Sequence, residues 1–252
     1  MNRKICALSF VVCLFGVATA VQAAEDNIES VLKKMDDLYR SESSRSEVVM
    51  EVVTPHWERT LDMSVWTKGD DKTFIRIHSP LKEKGMGTLR IENAMWNYLP
   101  KTHKVMKIPP SMMMGSWMGS DFTNDDIVDE ITYLHDYTHE WTDVDSPEEG
   151  VLYIKLTPKD GVPVVWGYLV MAVRESDVLP VWERYYDEKG RLMRTMTFSD
   201  IKRFGSRTLP STMEVVPANK EGHRTTVRYE KCEFNVALED DIFTLRNLRS
   251  PR

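Results

Sequence analysis

The pattern of apolar and polar positions changes early in the chain, from the period of a helix to that of a strand. Between residues 25 and 41, apolar side chains recur at intervals of three and four, which predicts an amphipathic helix. From Ser46 onward the period is two: Leu61, Met63 and Val65, for example, share one face of a predicted strand. The helix has an apolar stripe that another part of the protein must cover. This stripe comprises Ile28, Val31, Leu32, Met35 and Leu38.

Turn signals divide most of the remaining chain into short strands. Gly69-Asp70-Asp71, Asp160-Gly161 and Glu221-Gly222 are residue types that reverse the chain between strands. Together these segments predict about ten or eleven strands, with no internal repeat and no second domain. The predicted strands after residue 94 are Met95–Pro100, His103–Ile108, Tyr133–Trp141, Val151–Thr157, Gly167–Glu175, Val181–Tyr186, Leu192–Asp200, Ser211–Val216 and Thr225–Phe234. A short helix is expected near Phe243 and Leu248.

Several of these strands are apolar on both faces, which a sheet with one solvated face would not show. Val181-Trp182 followed by Tyr185-Tyr186 is one example. The pattern predicts a mainly β (α+β) fold in which a curved antiparallel sheet forms an incomplete β-barrel. Helices would cap the concave face, and such a barrel can enclose a small apolar cavity.

One segment interrupts the alternation. Ser111–Phe122 follows Pro109-Pro110 and contains glycines, methionines and aromatic residues. Thr123 and Asp126 then have the spacing of a helix start that leads into Ile127, Val128 and Ile131. Methionine fits irregular apolar partners, so the segment is either core filling or a movable lid that faces an apolar guest. We favour the lid, because the prolines and glycines provide hinges.

The predicted site is therefore an apolar cavity with its lid. No catalytic residue, metal ligand or cofactor is predicted for it. The candidate residues of the cavity and its lid are Trp66, Trp96, Tyr98, Met112, Met113, Met114, Trp117, Met118, Phe122, Trp166 and Trp182.

Alternative chemistry has weaker support. The Met112–Met118 methionines with His103 could hold Cu(I), which prefers thioether ligands. His135 and His139 have a metal-ligand spacing only on a helix; on the predicted strand they lie about 13 Å apart. Ser116 lies between glycines but lacks the G-x-S-x-G order of a serine hydrolase.

The first residues predict export. Positive residues near Met1 precede an apolar stretch of about 15 residues, shorter than the roughly 20 that a membrane span needs. Small residues at Val21 and Ala23 predict cleavage after Ala23, with Ala24 as the near alternative. Residues 1–23 are thus predicted to be a signal peptide, and 24–252 a single periplasmic domain without a transmembrane segment.

The charge argues against one class of partner, and the cysteine content argues against a reactive thiol. The whole chain has a formal net charge of −6. The signal peptide removes two basic and no acidic residues, so the exported domain is more acidic still, which argues against nucleic acid as a partner. Cys232 is the single cysteine after residue 23 and lies in an alternating segment, so we expect a buried inert thiol.

Specific sequence blocks resemble the outer-membrane lipoprotein-sorting family, the relatives of the periplasmic lipoprotein carrier LolA. These blocks extend over nearly the whole exported domain. They are the helix Ile28–Tyr39, Gly87-Thr88-Leu89, Met95–Pro100, Gly115–Phe122 with Asp125-Asp126, and Phe243-Thr244-Leu245. The resemblance implies an incomplete barrel whose hydrophobic cavity takes acyl chains, and partnership with an inner-membrane permease of the ABC or RND/MMPL type.

Three functions follow in order of preference. The first is a periplasmic carrier or chaperone, not an enzyme, that binds a lipidated protein or another acyl-bearing molecule and transfers it between membrane components. The second is a lipid or lipoprotein sensor similar to RseB, which regulates an envelope signalling or export partner. The third is metal handling through the methionines.

Overall fold

The computed structural model describes residues 16–128, 133–162 and 164–250, with side chains described from residue 28 onward. Within these ranges the chain forms one antiparallel sheet of 13 strands with helices on both of its faces. The strands are β1 (Ser43–Val53), β2 (Glu58–Lys68), β3 (Lys72–Ser79), β4 (Gly87–Ile91), β5 (Ala94–Leu99), β6 (Lys104–Lys107), β7 (Tyr137–Trp141), β8 (Val151–Pro158), β9 (Tyr168–Arg174), β10 (Pro180–Tyr186), β11 (Leu192–Phe204), β12 (Arg207–Pro217) and β13 (Arg224–Phe234). The helices are α1 (Gly16–Tyr39), α2 (Asn124–Val128), α3 (Tyr133–Asp136) and α4 (Leu245–Arg249), with 3₁₀ turns at Pro100–Thr102, Pro110–Met112, Trp117–Gly119 and Asp240–Phe243.

The sheet is open. Its strand order is β6-β5-β4-β3-β2-β1-β13-β12-β11-β10-β9-β8-β7, so β1 pairs with β13 and the two ends, β6 and β7, remain edges. The predicted mainly β fold with a curved, unclosed antiparallel sheet is confirmed. The described strands outnumber the predicted ten or eleven.

The predicted strand Tyr133–Trp141 is half wrong, because its first four residues form α3 and only Tyr137–Trp141 is a strand. The helical turn brings the rings of Tyr133 and Tyr137 to 6.4 Å and directs the Tyr133 hydroxyl to Glu183, a contact that no local pattern encodes. The predicted helix start is confirmed at Thr123. Its backbone N–H donates to Asp126 at 2.7 Å, and the Asp126 N–H donates back to the Thr123 hydroxyl at 3.1 Å. Ile131 lies outside the described residues.

Alternation gives the sheet two faces, and α1 covers one end of the inner face. The apolar stripe of α1 is buried against inward side chains such as Ile154, Leu169 and Met171. Arg207 donates to the carbonyls of Asp37, Leu38 and Arg40, which ties the C-terminus of the helix to β12. The predicted amphipathic helix is therefore confirmed as an inner-face cap.

A second apolar cluster lies on the inner face of the first strands. It buries Met50 and Leu61 from β1 and β2, Ile75 from β3 and Met95 from β5. Trp117, from the segment between β6 and α2, completes this cluster and is only 3% exposed. Each such side chain contributes about 1.5–3 kcal/mol by leaving water.

The C-terminus covers part of the outer face. Phe243 and Leu248 pack there against Phe74, Leu89 and Tyr98. A Cβ on Gly87 would lie 2.9 Å from both an Arg76 nitrogen and a Leu248 methyl carbon, so a side chain there would push against both residues. The predicted short C-terminal helix is therefore confirmed, and it packs opposite α1.

Among the helices in the described part of the chain, none is long and apolar enough to cross a membrane. The predicted signal peptide falls mostly outside the described residues, and its cleavage stays a prediction. Cys232 is a free, half-buried thiol whose sulfur accepts a hydrogen bond from Ser46 at 3.2 Å. Burial raises the pKa of this thiol, which makes it a poor nucleophile.

Candidate functional site

An apolar cavity of about 380 Å³ lies on the inner face between the two clusters. This volume falls in the range of small-molecule binding sites. The walls come from α1, from β1–β3 and β10–β13, and from the segment that includes Trp117 and α2. The lining residues are Met35, Leu38, Tyr39, Val48, Met50, Met63, Val65, Thr73, Ile75, Trp117, Phe122, Asp126, Ile127, Tyr133, Pro180, Glu183, Tyr185, Met196, Phe198, Met213, Val227 and Tyr229.

The segment Ser111–Phe122, which we call the crossing segment, closes one side of the cavity. Trp117 donates its indole N–H to the Thr88 hydroxyl at 3.1 Å and its backbone N–H to the Phe122 carbonyl at 2.8 Å. Ser116 and Thr123 form an isolated antiparallel bridge. The segment is therefore folded back on itself, with the indole inserted into the inner-face core.

Side chains of the sheet hold the crossing segment at two further points. The Arg59 guanidinium donates to the carbonyl of Met118, whose φ of +53° places it in the left-handed region. On the other side, the Thr225 hydroxyl donates to the Asp121 carboxylate at 2.8 Å. Contacts to β2, β4 and β13 thus fix the segment across the sheet.

A buried ion pair joins α2 to β11. Arg194 donates to both carboxylate oxygens of Asp126 at 2.7 Å, and its guanidinium lies 4.1 Å from the centre of the Tyr185 ring. Burial acts to raise the pKa of Asp126, but the hydrogen bonds and charge of Arg194, with the Thr123 hydrogen bonds, hold it below its usual value. In its charged form, the ion pair holds α2 against β11.

One acidic side chain in the cavity wall, Glu183, forms no ion pair with any residue that the structure describes. Glu183 is 2% exposed and accepts hydrogen bonds from the hydroxyls of Tyr185 at 2.6 Å and Tyr133 at 3.1 Å. It projects to the inner face of β10, where its strand neighbours are Met171 and Met196. Burial raises the pKa of Glu183, although the two tyrosines and Arg194 act in the opposite direction.

The candidate residues chosen from the sequence lie in several different places. Trp117 and Phe122 line the cavity. Met113 and Met118 pack against the cluster beside it, whereas Met112 and Met114 are exposed. Trp166 does not line the cavity but packs against Tyr185, which does. The remaining four are on the outer face: Trp66, Trp96 and Tyr98 near the C-terminus, and Trp182 against Tyr153.

Sequence reasoning missed most of the cavity wall. Met50, Met196 and Met213 come from strands far apart in the chain, and each is an ordinary inward position of an alternating segment. Glu183 had a usable signal: it is an acid at an inward position between the apolar pairs Val181-Trp182 and Tyr185-Tyr186. An inward charge in such a strand marks a special site.

Several residues of the metal and hydrolase alternatives make other contacts in the structure. Within residues 28–128, 133–162 and 164–250, no group of three or more His, Cys, Asp and Glu side chains could hold a metal ion. His103, the proposed copper partner of the methionines, lies 3.4 Å from the Tyr98 hydroxyl. The Ser116 hydroxyl donates to the Ser120 carbonyl.

Three solved structures share this architecture. A DUF1329 family protein from Desulfovibrio piger aligns with a TM-score of 0.78 and 24% identity, over 89% of this chain and 99% of that one. A putative outer membrane lipoprotein-sorting protein domain from Vibrio parahaemolyticus aligns at 0.75 and 20%, over 88% and 98%. A LolA superfamily protein from Nitrosomonas europaea aligns at 0.70 and 21%, over 87% and 98%. These likenesses confirm the LolA-like fold.

The sequence was also compared with family models and with curated proteins. A family model described as an uncharacterized protein matches residues 69–250, which is most of the chain. No curated protein matches. The matched region extends from the end of β2 to the end of α4, so it includes the crossing segment and much of the cavity wall.

Proposed function

The chain belongs to the family of uncharacterized proteins whose model matches residues 69–250, and because its fold is LolA-like, we propose that it is a non-enzymatic carrier. Its cargo is a lipidated protein or another acyl-bearing hydrophobic molecule. The acyl part enters the inner-face cavity. The carrier, in the periplasm, transfers the cargo between membrane components.

The apolar cavity is the observation that supports this proposal. Most of its lining residues are aliphatic, methionine or aromatic, and Met50 and Met63 provide side chains that adapt to irregular guests. Each methylene that moves from water into such a cavity contributes about 0.8 kcal/mol. Affinity therefore grows with chain length and needs no covalent chemistry.

Exposed apolar side chains around the crossing segment provide a surface for transfer. Met112 and Met114 on that segment are exposed, as is Trp57, whose ring lies about 4.0 Å from a Cβ placed on Gly119. Exposed apolar surface of this kind marks interaction sites. We assign this surface to the delivery partner, an inner-membrane permease of the ABC or RND/MMPL type.

Release of the cargo then requires the crossing segment to move as a lid. Movement must break the bond from Trp117 to Thr88 and the bond from Arg59 to the Met118 carbonyl. Each hydrogen bond contributes about 0.5–1.5 kcal/mol, so the docked partner must supply a few such contacts. Trp117 and Phe122, which line the cavity, leave the wall in this movement.

The proposal is tested by extracting the protein from periplasm and identifying bound lipid by mass spectrometry. A matched pair on β12 sharpens the test. Met213→Trp fills the cavity and should abolish binding of fluorescent acyl probes, whereas Val216→Trp adds the same side chain at an exposed position and should leave binding intact. A purified wild-type protein that holds no lipid and binds no acyl probe would refute the carrier function.

A further inference from the structure

The polar groups of the cavity wall are carboxyl groups and hydroxyls. In the described part of the chain, its lining includes two acidic residues, Asp126 and Glu183, and four tyrosines, but no Lys, Arg or His. The nearby guanidinium of Arg194 is not among the lining groups, and two of its nitrogens bond to both oxygens of Asp126. Among the described residues, the wall therefore presents hydrogen-bond acceptors and hydroxyls, and no cation that could receive an anionic ligand group.

Glu183 is a group in this wall that can accept further hydrogen bonds. Its two oxygens have about four acceptor positions, and the hydroxyls of Tyr133 and Tyr185 occupy two of them. A buried carboxylate is costly unless hydrogen bonds or a charge satisfy it. In the cavity wall, a donor from a bound molecule could occupy a remaining position.

We propose that Glu183, oriented by Tyr133 and Tyr185, is a polar anchor that selects ligands with a hydrogen-bond donor, a hydroxyl or an amine, on the part inserted into the cavity. The anchor disfavours ligands that insert a carboxylate, because this buried charge would face the Glu183 carboxyl group and no cationic side chain. This specificity rests on the proposed carrier function and names the class of molecule carried.

Local geometry supports an anchor that is held in place. Tyr185 follows Glu183 by two residues on β10, so both side chains project to the same face, and Tyr133 reaches the carboxylate from α3. The Tyr185 ring is itself fixed between Trp166 and Arg194. Prepositioned acceptors lose little freedom when a ligand binds.

The test uses the exported full chain and the apolar dye N-phenylnaphthylamine, displaced by four competitors with the same alkyl chain. These are dodecane, dodecanol, dodecylamine and dodecanoic acid. Dodecanol and dodecylamine should displace the dye from the wild-type protein at concentrations about tenfold lower than dodecane or dodecanoic acid, the difference that one hydrogen bond gives.

Two variants separate charge from hydrogen bonding. Glu183→Gln keeps an acceptor but cannot ionise, so the preference for dodecanol over dodecane should persist, that for dodecylamine should weaken, and dodecanoic acid should improve. Glu183→Leu should remove both preferences while leaving dodecane unchanged. The control Glu188→Gln changes an exposed acid in the turn after β10 and should behave as wild type.

The outcomes distinguish the two proposals. Competitors that rank only by apolar surface, identically in wild type and Glu183→Gln, overturn the anchor and leave the carrier intact. A wild-type protein that binds neither the dye nor any competitor overturns both. If Glu183→Leu does not fold by circular dichroism, the wild-type ranking and the Gln variant decide the matter.

Discussion

Trp117 and Thr88 join the crossing segment to the sheet through a buried hydrogen bond of 3.1 Å between the indole nitrogen and the threonine hydroxyl. Thr88 also donates to the Asn97 side chain at 2.7 Å, so its hydroxyl is oriented before the indole arrives. The segment that the proposed lid movement displaces is thus anchored by a residue that also lines the cavity. Stability of the segment and access to the cavity are coupled at this residue.

Trp117→Phe tests that coupling. The ring is retained in part and the indole N–H is lost, so the free energy of unfolding should fall by about 1 kcal/mol, plus a term for the smaller side chain. Backbone amides of the segment, such as Gly115, should exchange with deuterium faster, because local opening becomes easier. Trp141→Phe is the control, since its indole has no hydrogen bond in the described part of the chain. Equal exchange in both variants would count against the anchor.

The ion pair between Arg194 and Asp126 should show strong coupling in a double-mutant cycle. Arg194→Met or Asp126→Leu alone leaves an unpaired buried charge and should cost about 3–5 kcal/mol in urea unfolding. The double variant should lose much less than the sum of the two single losses. Additive losses would show that the pair does not act as a unit.

The same ion pair predicts how the stability of the protein changes at acid pH. The folded-state pKa of Asp126 is lowered, so the carboxylate stabilises the protein above its unfolded pKa, and this contribution is lost as the pH falls through the folded pKa. The stability gap between wild type and Asp126→Asn should be full at neutral pH and should shrink below about pH 4. Thermal unfolding across the acid range measures it, and a gap that widens on acidification contradicts the assignment.

Glu183 predicts the opposite pH dependence. Burial raises its folded-state pKa, so its favourable contribution is complete below the unfolded pKa of about 4.3 and is lost as the pH rises through the folded pKa. Glu183→Gln carries no such titration. Its melting temperature relative to wild type should therefore rise between about pH 4 and neutral pH. A constant difference over that range would contradict a buried, perturbed carboxyl.

Arg76 should hold the C-terminus on the outer face. Its guanidinium is buried and donates to the carbonyls of Gly85 at 2.8 Å, Asn247 at 2.8 Å and Leu248 at 3.1 Å. Arg76→Met would leave these carbonyls unsatisfied, at about 1–3 kcal/mol each where burial persists. Limited proteolysis should then remove the C-terminal residues sooner, whereas Arg246→Met, at an exposed position of α4, should not change cleavage. Unchanged cleavage in both variants would show that Arg76 does not hold the C-terminal helix on the sheet.

Local patterns predicted several elements correctly and for physical reasons. The stripe of α1 and the Thr123 helix start depend on neighbours within one or two turns, so short stretches encode them. Tyr133–Trp141 was misassigned because alternating tyrosines and histidines fit a strand as well as a helical turn. The bond from Tyr133 to Glu183, 50 residues apart, favours the turn in the folded protein.

The sequence by itself determined most of the elements, the antiparallel sheet and the interruption at Ser111–Phe122, because these depend on periodicity and on turn residues. Tertiary structure decided which aromatic residues share a face. Trp96 and Trp117 belong to neighbouring blocks of the sequence, yet one packs on the outer face and the other inserts into the inner face. Alternation separates two faces but does not say which one a distant helix will cover. That choice depends on packing between residues far apart in the chain, as α1 and α4 show on opposite sides of the sheet.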